Sequence, residues 1–126
     1  MKNTVKHAAV FIAIASFACT GSAMAQDRDS VETDLVTHAQ AAQAATTAAL
    51  AAVNAGNTGD SCSAMRTAVV EITQAEQLAA QDKPLIDGDT RIDDEQRVAQ
   101  QGQLTELTTN LATSHSRLDA LISERC

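Results

Sequence analysis

Apolar residues recur along this chain at alternating spacings of three and four, the period of one face of a helix. Leu104, Leu107, Leu111, Leu118 and Leu121 form a heptad-like seam, interrupted by one polar residue at Ser114. Met65, Val69, Ile72, Ala75 and Ala79 form a second stripe. The third stripe, Leu35, His38, Ala42, Ala45, Ala49 and Ala52, is mostly alanine and is flanked by Val36, Leu50 and Val53. Alanine buries little area but permits close backbone approach, so this helix is expected to lie near its neighbours. Its other reading is high helix propensity with modest packing. No window alternates apolar and polar residues with β-branched enrichment, and the fold class expected is all-α.

Turn signals divide residues 26–126 into helices over about 30–55, 61–82 and 90–125. Asp29 followed by Glu32, and Ser30 followed by Thr33, resemble a capping box for the first helix. Gly56 is placed to end that helix, and the Ser61 hydroxyl to cap the second. Pro84 disfavours helical geometry at Lys83, which predicts a stop near Asp82. The third helix is expected to begin between Asp89 and Asp93, where acidic residues suit its dipole, and Gly102 weakens it by about 1 kcal/mol relative to alanine. The expected architecture is a three-helix antiparallel, up-down-up bundle with a long, coiled-coil-like third helix. On these boundaries the second helix spans about 30 Å and residues 93–126 about 50 Å, at about 1.5 Å per residue. Either the connector climbs beside the third helix or the stretch from Ile92 to Gln103 projects beyond the bundle, and its polar composition favours partial projection.

The first 25 residues read as a signal peptide. Lys2 and Lys6 precede the apolar run Ala8–Ala18, and Ala23-Met24-Ala25 offers a small-x-small cleavage site. A run of about 11 residues is too short to span a bilayer. A lipoprotein reading would use Cys19, but Ser16-Phe17-Ala18-Cys19 lacks the aliphatic residue three places upstream. Cleavage before Gln26 removes two of nine basic residues and none of sixteen acidic ones, so the net charge falls from −7 to −9. Phe11 and Phe17 leave as well, and residues 26–126 contain no aromatic residue. This composition offers no base-stacking platform, no aromatic cage and no basic footprint for nucleic acid or anionic lipid. The expectation is a single exported domain, periplasmic or secreted, with no stable membrane insertion after cleavage.

Cys62 and Cys126 are the cysteines left after cleavage. An even pair in an exported small protein reads as a structural disulfide, since redox-active thiols usually stand close together in sequence. In an antiparallel hairpin of the second and third helices, the bridge closes the end opposite the connector that follows Pro84. About twenty Val, Ile, Leu and Met side chains follow residue 25. That is a lean core, so the bridge is expected to matter for stability, and a helix face to be shared with a partner.

Chemistry is thin. His38 and His115 are the histidines after residue 25 and the weak candidates for metal ligation. Measured from the bridged end, His38 lies at about 25 Å, His115 at about 16 Å and Met65 at about 5 Å, so no two share a level. His38 is expected to be partly buried and hydrogen-bonded, and His115 solvated. The acidic run from Asp87 to Glu95 fails as a calcium loop, because Arg91, Ile92 and Val98 occupy positions that need an oxygen ligand, glycine and glutamate. There is no Gly-x-Ser-x-Gly elbow, phosphate loop, zinc motif or haem-attachment motif. No motif is specific enough to name a family. The reading is a non-catalytic protein-interaction or structural envelope component without a cofactor, with Leu104, Leu107, Leu111, Leu118 and Leu121 as its interaction face. Its partner would be an unidentified envelope protein or a second copy. A small-ligand or metal carrier using His38 and His115, and an envelope chaperone, are the alternatives.

Overall fold

The computed structural model describes residues 26–126; the expected signal peptide, residues 1–25, lies outside them. Three helices account for nearly all of this chain: α1 (Gln26–Asn54), α2 (Thr58–Asp87) and α3 (Asp94–Arg125). No strand occurs among the described residues.

Each helix buries one continuous seam at alternating spacings of four and three. In α1 the seam is Arg28, Glu32, Leu35, Ala39, Ala42, Thr46 and Ala49. It shares Leu35, Ala42 and Ala49 with the expected stripe, while His38, Ala45 and Ala52 fall beside it, half-buried. The α2 seam runs from Ser61 through Met65, Ala68, Ile72, Ala75, Ala79 and Asp82 to Ile86. The α3 seam is Gln100, Leu104, Leu107, Leu111, Ser114, Leu118 and Leu121. The alanines find their purpose in the spacing of the helices. Ala39 and Ala42 on α1, and Ala68, Ala75 and Ala79 on α2, are buried at 2% exposure or less. Helix α1 packs against α2 and α2 against α3, whereas no Cα of α1 lies within 8 Å of one in α3. Small residues admit close backbone approach, and the leucine seam holds α3 further out.

The turns follow local chemistry. After α1, Gly56 takes the left-handed conformation at φ 73°. The Gly56 amide donates to the Val53 carbonyl and the Asn57 amide to that of Ala52, a Schellman closure that a residue with a Cβ would strain. Helix α2 starts one turn earlier than expected, because Asn57 rather than Ser61 caps it: Asn57 Oδ1 accepts from the Asp60 amide at 3.1 Å. Asp93 and Gln96 form a reciprocal capping box at the start of α3. Asp29 and Ser30 cap nothing, since α1 is already helical from Gln26.

The expected end of the second helix fails as well. Helix α2 does not stop near Asp82; it continues through Pro84 to Asp87. In the last turn proline removes a single backbone donor, and the extra turn buries Ile86 completely and lets the Gly88 amide donate to the Pro84 carbonyl at 3.0 Å. Tertiary burial overrides the local preference. With α2 at 30 residues and α3 at 32, the length mismatch disappears. The stretch Ile92–Gln103 is accordingly docked and does not project. Arg97 donates to the carbonyls of Ile86, Asp87 and Asp89, and Gln101 to the Asp87 carboxylate.

Candidate functional site: a buried polar clasp

Apart from the hydroxyls of Thr46, Ser61 and Ser114 the seams are apolar until one end, where Arg28 and Glu32 of α1, Asp82 of α2 and Gln100 of α3 occupy seam positions. Arg28 is 2% exposed and spreads its guanidinium over three elements. Its Nε donates to Glu32 Oε2 at 3.2 Å, its Nη1 to Asp89 Oδ2 at 2.7 Å, and its Nη2 to the Gln100 side-chain carbonyl. Asp89, in the loop between α2 and α3, also receives Arg91, through the backbone amide at 3.0 Å and through Nε at 2.9 Å. The Arg91 hydrogen bonds, aided by Arg28 and opposed by burial, hold the Asp89 carboxyl well below the usual carboxylate range. Burial works against the Arg28 charge, but Asp89 and Glu32 outweigh it and its pKa rises.

Asp82 stands apart. It is fully buried, and neither carboxylate oxygen has a hydrogen-bond donor; Glu32 Oε1 lacks one too. Burial first, then the neighbouring Glu32 carboxyl, push the Asp82 carboxyl up to about 8, with Arg28 pulling the other way. A recess of about 190 Å³ opens against Arg28, Asp89 and Arg91 and brings the surface close to the clasp.

The sequence reading missed this cluster, although its signal is present. Continuing the apolar seams at the same spacing, by two turns in α1 and one in α2 and α3, lands on Glu32 and Arg28, on Asp82, and on Gln100. Charged residues at core positions of two helices and a glutamine at one of the third, all at one end, define a place where they meet.

The expected site residues are distributed elsewhere. Cys62 and Cys126 are joined, with Cα atoms 5.9 Å apart. His38 and His115 do not meet. His38 Nδ1 pairs with Glu71 Oε2 at 2.5 Å between α1 and α2. His115 Nδ1 pairs with Glu76 Oε1 at 2.6 Å between α3 and α2, and its Nε2 lies 3.4 Å from Asp119 Oδ2. His115 is thus half-buried and partnered rather than solvated. Among the described residues no group of three His, Cys, Asp or Glu side chains is arranged to hold a metal ion. Leu104, Leu107, Leu111, Leu118 and Leu121 are each 7% exposed or less, so this seam is used within the chain's own core and is not open to a second protein. No described helix is long and apolar enough to cross a membrane.

No protein-family model, curated protein or solved structure matches this chain.

Proposed function

We propose that this protein is an exported, non-catalytic envelope component that acts by holding helical faces in fixed register for another protein or for a second copy of itself. The observation that carries this reading is the fastening of the helices at both ends. Cys62–Cys126 joins α2 to α3 at one end, and Arg28 joins α1, the loop and α3 at the other. In this reading residues 1–25 are removed as a signal peptide and the helices run up-down-up. The 3-4 seam of α3 is then coiled-coil-like, and an oxidising periplasmic or extracellular setting sustains the disulfide. With the leucine seam internal, recognition falls to the polar outer faces of a domain whose net charge after cleavage is −9.

The test is to isolate the protein from periplasmic extract and culture fluid without reductant, crosslink it through carboxylates, and sequence its N-terminus. The expected result is a chain starting at Gln26 that forms one reproducible crosslinked species, either a dimer or a complex with a defined protein. A cytoplasmic chain retaining residues 1–25, or an exported chain that stays an uncrosslinked monomer, would overturn the reading.

A further inference from the structure

The clasp holds more buried carboxylate than its cations and donors satisfy. Three oxygens, Asp82 Oδ1 and Oδ2 and Glu32 Oε1, have no donor, in side chains that are 0% and 2% exposed. An ionised carboxylate removed from water is stable only when paired and hydrogen-bonded. The charged groups around it are already engaged. Arg28 of α1 is divided among Glu32, Asp89 and Gln100, Arg91 is turned onto Asp89, and Arg97 of α3 faces the loop carbonyls. Gln100, the residue that α3 brings to the clasp, directs its side-chain oxygen at Arg28. Glu32 of α1 and Asp82 of α2 occupy buried seam positions at the same end of two packed helices, and both have oxygens that lack a donor. A single proton turns one acceptor into a donor and gives the pair a hydrogen bond in place of a repulsion.

We propose that Glu32 and Asp82 form a one-proton binding site, and that the polar clasp joining α1 to the end of α2 is closed by that proton and loosened when it leaves. With the proton bound, the clasp sets Arg28 and Arg91 against two carboxylates, Glu32 and Asp89. Without it, a third carboxylate is added in the same buried place, facing Glu32 from the opposite helix. The device makes the start of α1 sensitive to alkalinity, in a compartment where pH would follow the surroundings if the protein is exported as proposed above.

The sign follows from linkage. The Asp82 carboxyl lies near 4 in an unfolded chain and is raised to about 8 here. The stabilisation is therefore complete below about 4 and is lost as pH rises through about 8. For one proton, the unfolding constant grows by up to about tenfold per pH unit in between.

The experiment compares denaturant unfolding of the oxidised protein and of Asp82→Asn from pH 5.5 to 8.5. The side-chain amide introduced by Asp82→Asn would supply a permanent donor to Glu32, and His38 and His115 are common to both proteins and cancel. The expected result is a ratio of unfolding constants, wild type to variant, that rises about tenfold per unit between pH 5.5 and 7.5, leaving the variant the more stable at pH 8.5. A pH-independent ratio overturns the proposal. Should Asp82→Asn fail to fold, carboxyl ¹³C resonances of the wild-type protein decide. An Asp82 midpoint above 5.5 supports the site, and one at or below 5.5 overturns it. Stabilisation of the wild type at pH 8.5 by millimolar sodium or calcium, absent in the variant, would make a metal cation the occupant and also overturn it.

Discussion

The two ends of this bundle are fastened by opposite means. At the end where α2 begins and α3 finishes, one covalent bond joins Cys62 to Cys126, with Cys62 part of the buried apolar core. At the other end no covalent link joins the described residues, and the same job falls to Arg28 with Glu32, Asp89 and Gln100. The disulfide constrains mainly the unfolded chain and is indifferent to salt and to moderate pH. The clasp stabilises only while each charge in it is answered, because breaking one partner strands the others away from water. The bundle thus has one end that responds to redox conditions and one that responds to protons.

The largest expected effect lies at the covalent end. The cysteines are 64 residues apart in sequence, and opening that loop by Cys126→Ser or by reductant should lower the unfolding free energy by about 4 kcal/mol. Denaturant titration with and without reductant measures it, and the loss should be equal at pH 5.5 and 7.5. A loss that changed with pH would mean that the two ends are coupled and the contrast between them is false.

Next comes Arg28→Ala, which leaves Glu32 and Asp89 buried without their shared cation and should cost about 3 kcal/mol. Arg28→Lys keeps the charge but not the fork that reaches three partners, so it should recover only part of the loss. Amide exchange should locate the damage in residues 26–35 and 82–100 and spare the surroundings of the disulfide. Uniform loss of protection would show that the clasp is no separate unit.

The same contrast explains what could be read from the chain alone. At the disulfide end two cysteines, a glycine stop after Asn54 and a leucine seam each follow one rule, and only the start of α2 is displaced, from Ser61 to the better cap Asn57. The clasp end was not legible, because two rules compete there. Pro84 signals a stop, while Ile86, two residues later, gains enough from complete burial to extend the helix. A stop at Asp82 takes the last turn from α2 and sends residues 92–103 into solvent. It also hides Asp82 as a helix-end carboxylate instead of a core position. Glu32 reads along the chain as the capping-box partner of Asp29, although with Arg28 it sits on the Leu35 seam. Polar residues at seam positions carry information that an apolar pattern discards.

A smaller effect compares matched caps at the two ends. Asn57 caps α2 near the disulfide, and Asp93 caps α3 near the clasp. Each substitution to alanine removes one side-chain acceptor and typically costs about 1 kcal/mol. The start of α2 is held by Cys62 five residues on, so Asn57→Ala should alter amide protection over less of its helix than Asp93→Ala does. Equal spread of the two effects would show that the disulfide does not restrain the first turn of α2.

The smallest effect is a gain. Gly102 lies within α3, two residues beyond the clasp residue Gln100, and a Cβ built there meets nothing within 4 Å. Its backbone is helical, so alanine loses no favourable conformation and narrows the unfolded ensemble. Gly102→Ala should therefore stabilise the protein by about 0.5–1 kcal/mol, read as a higher denaturant midpoint at unchanged slope. The substitution also separates local helix strength from the clasp. If α3 is stiffened and the polar end is limited by charge, the gain should be the same in the Arg28→Ala background, since distant and independent changes add. A gain that vanished without Arg28 would mean that the guanidinium acts by ordering the first turns of α3, and the clasp would then be one device with the helix it grips.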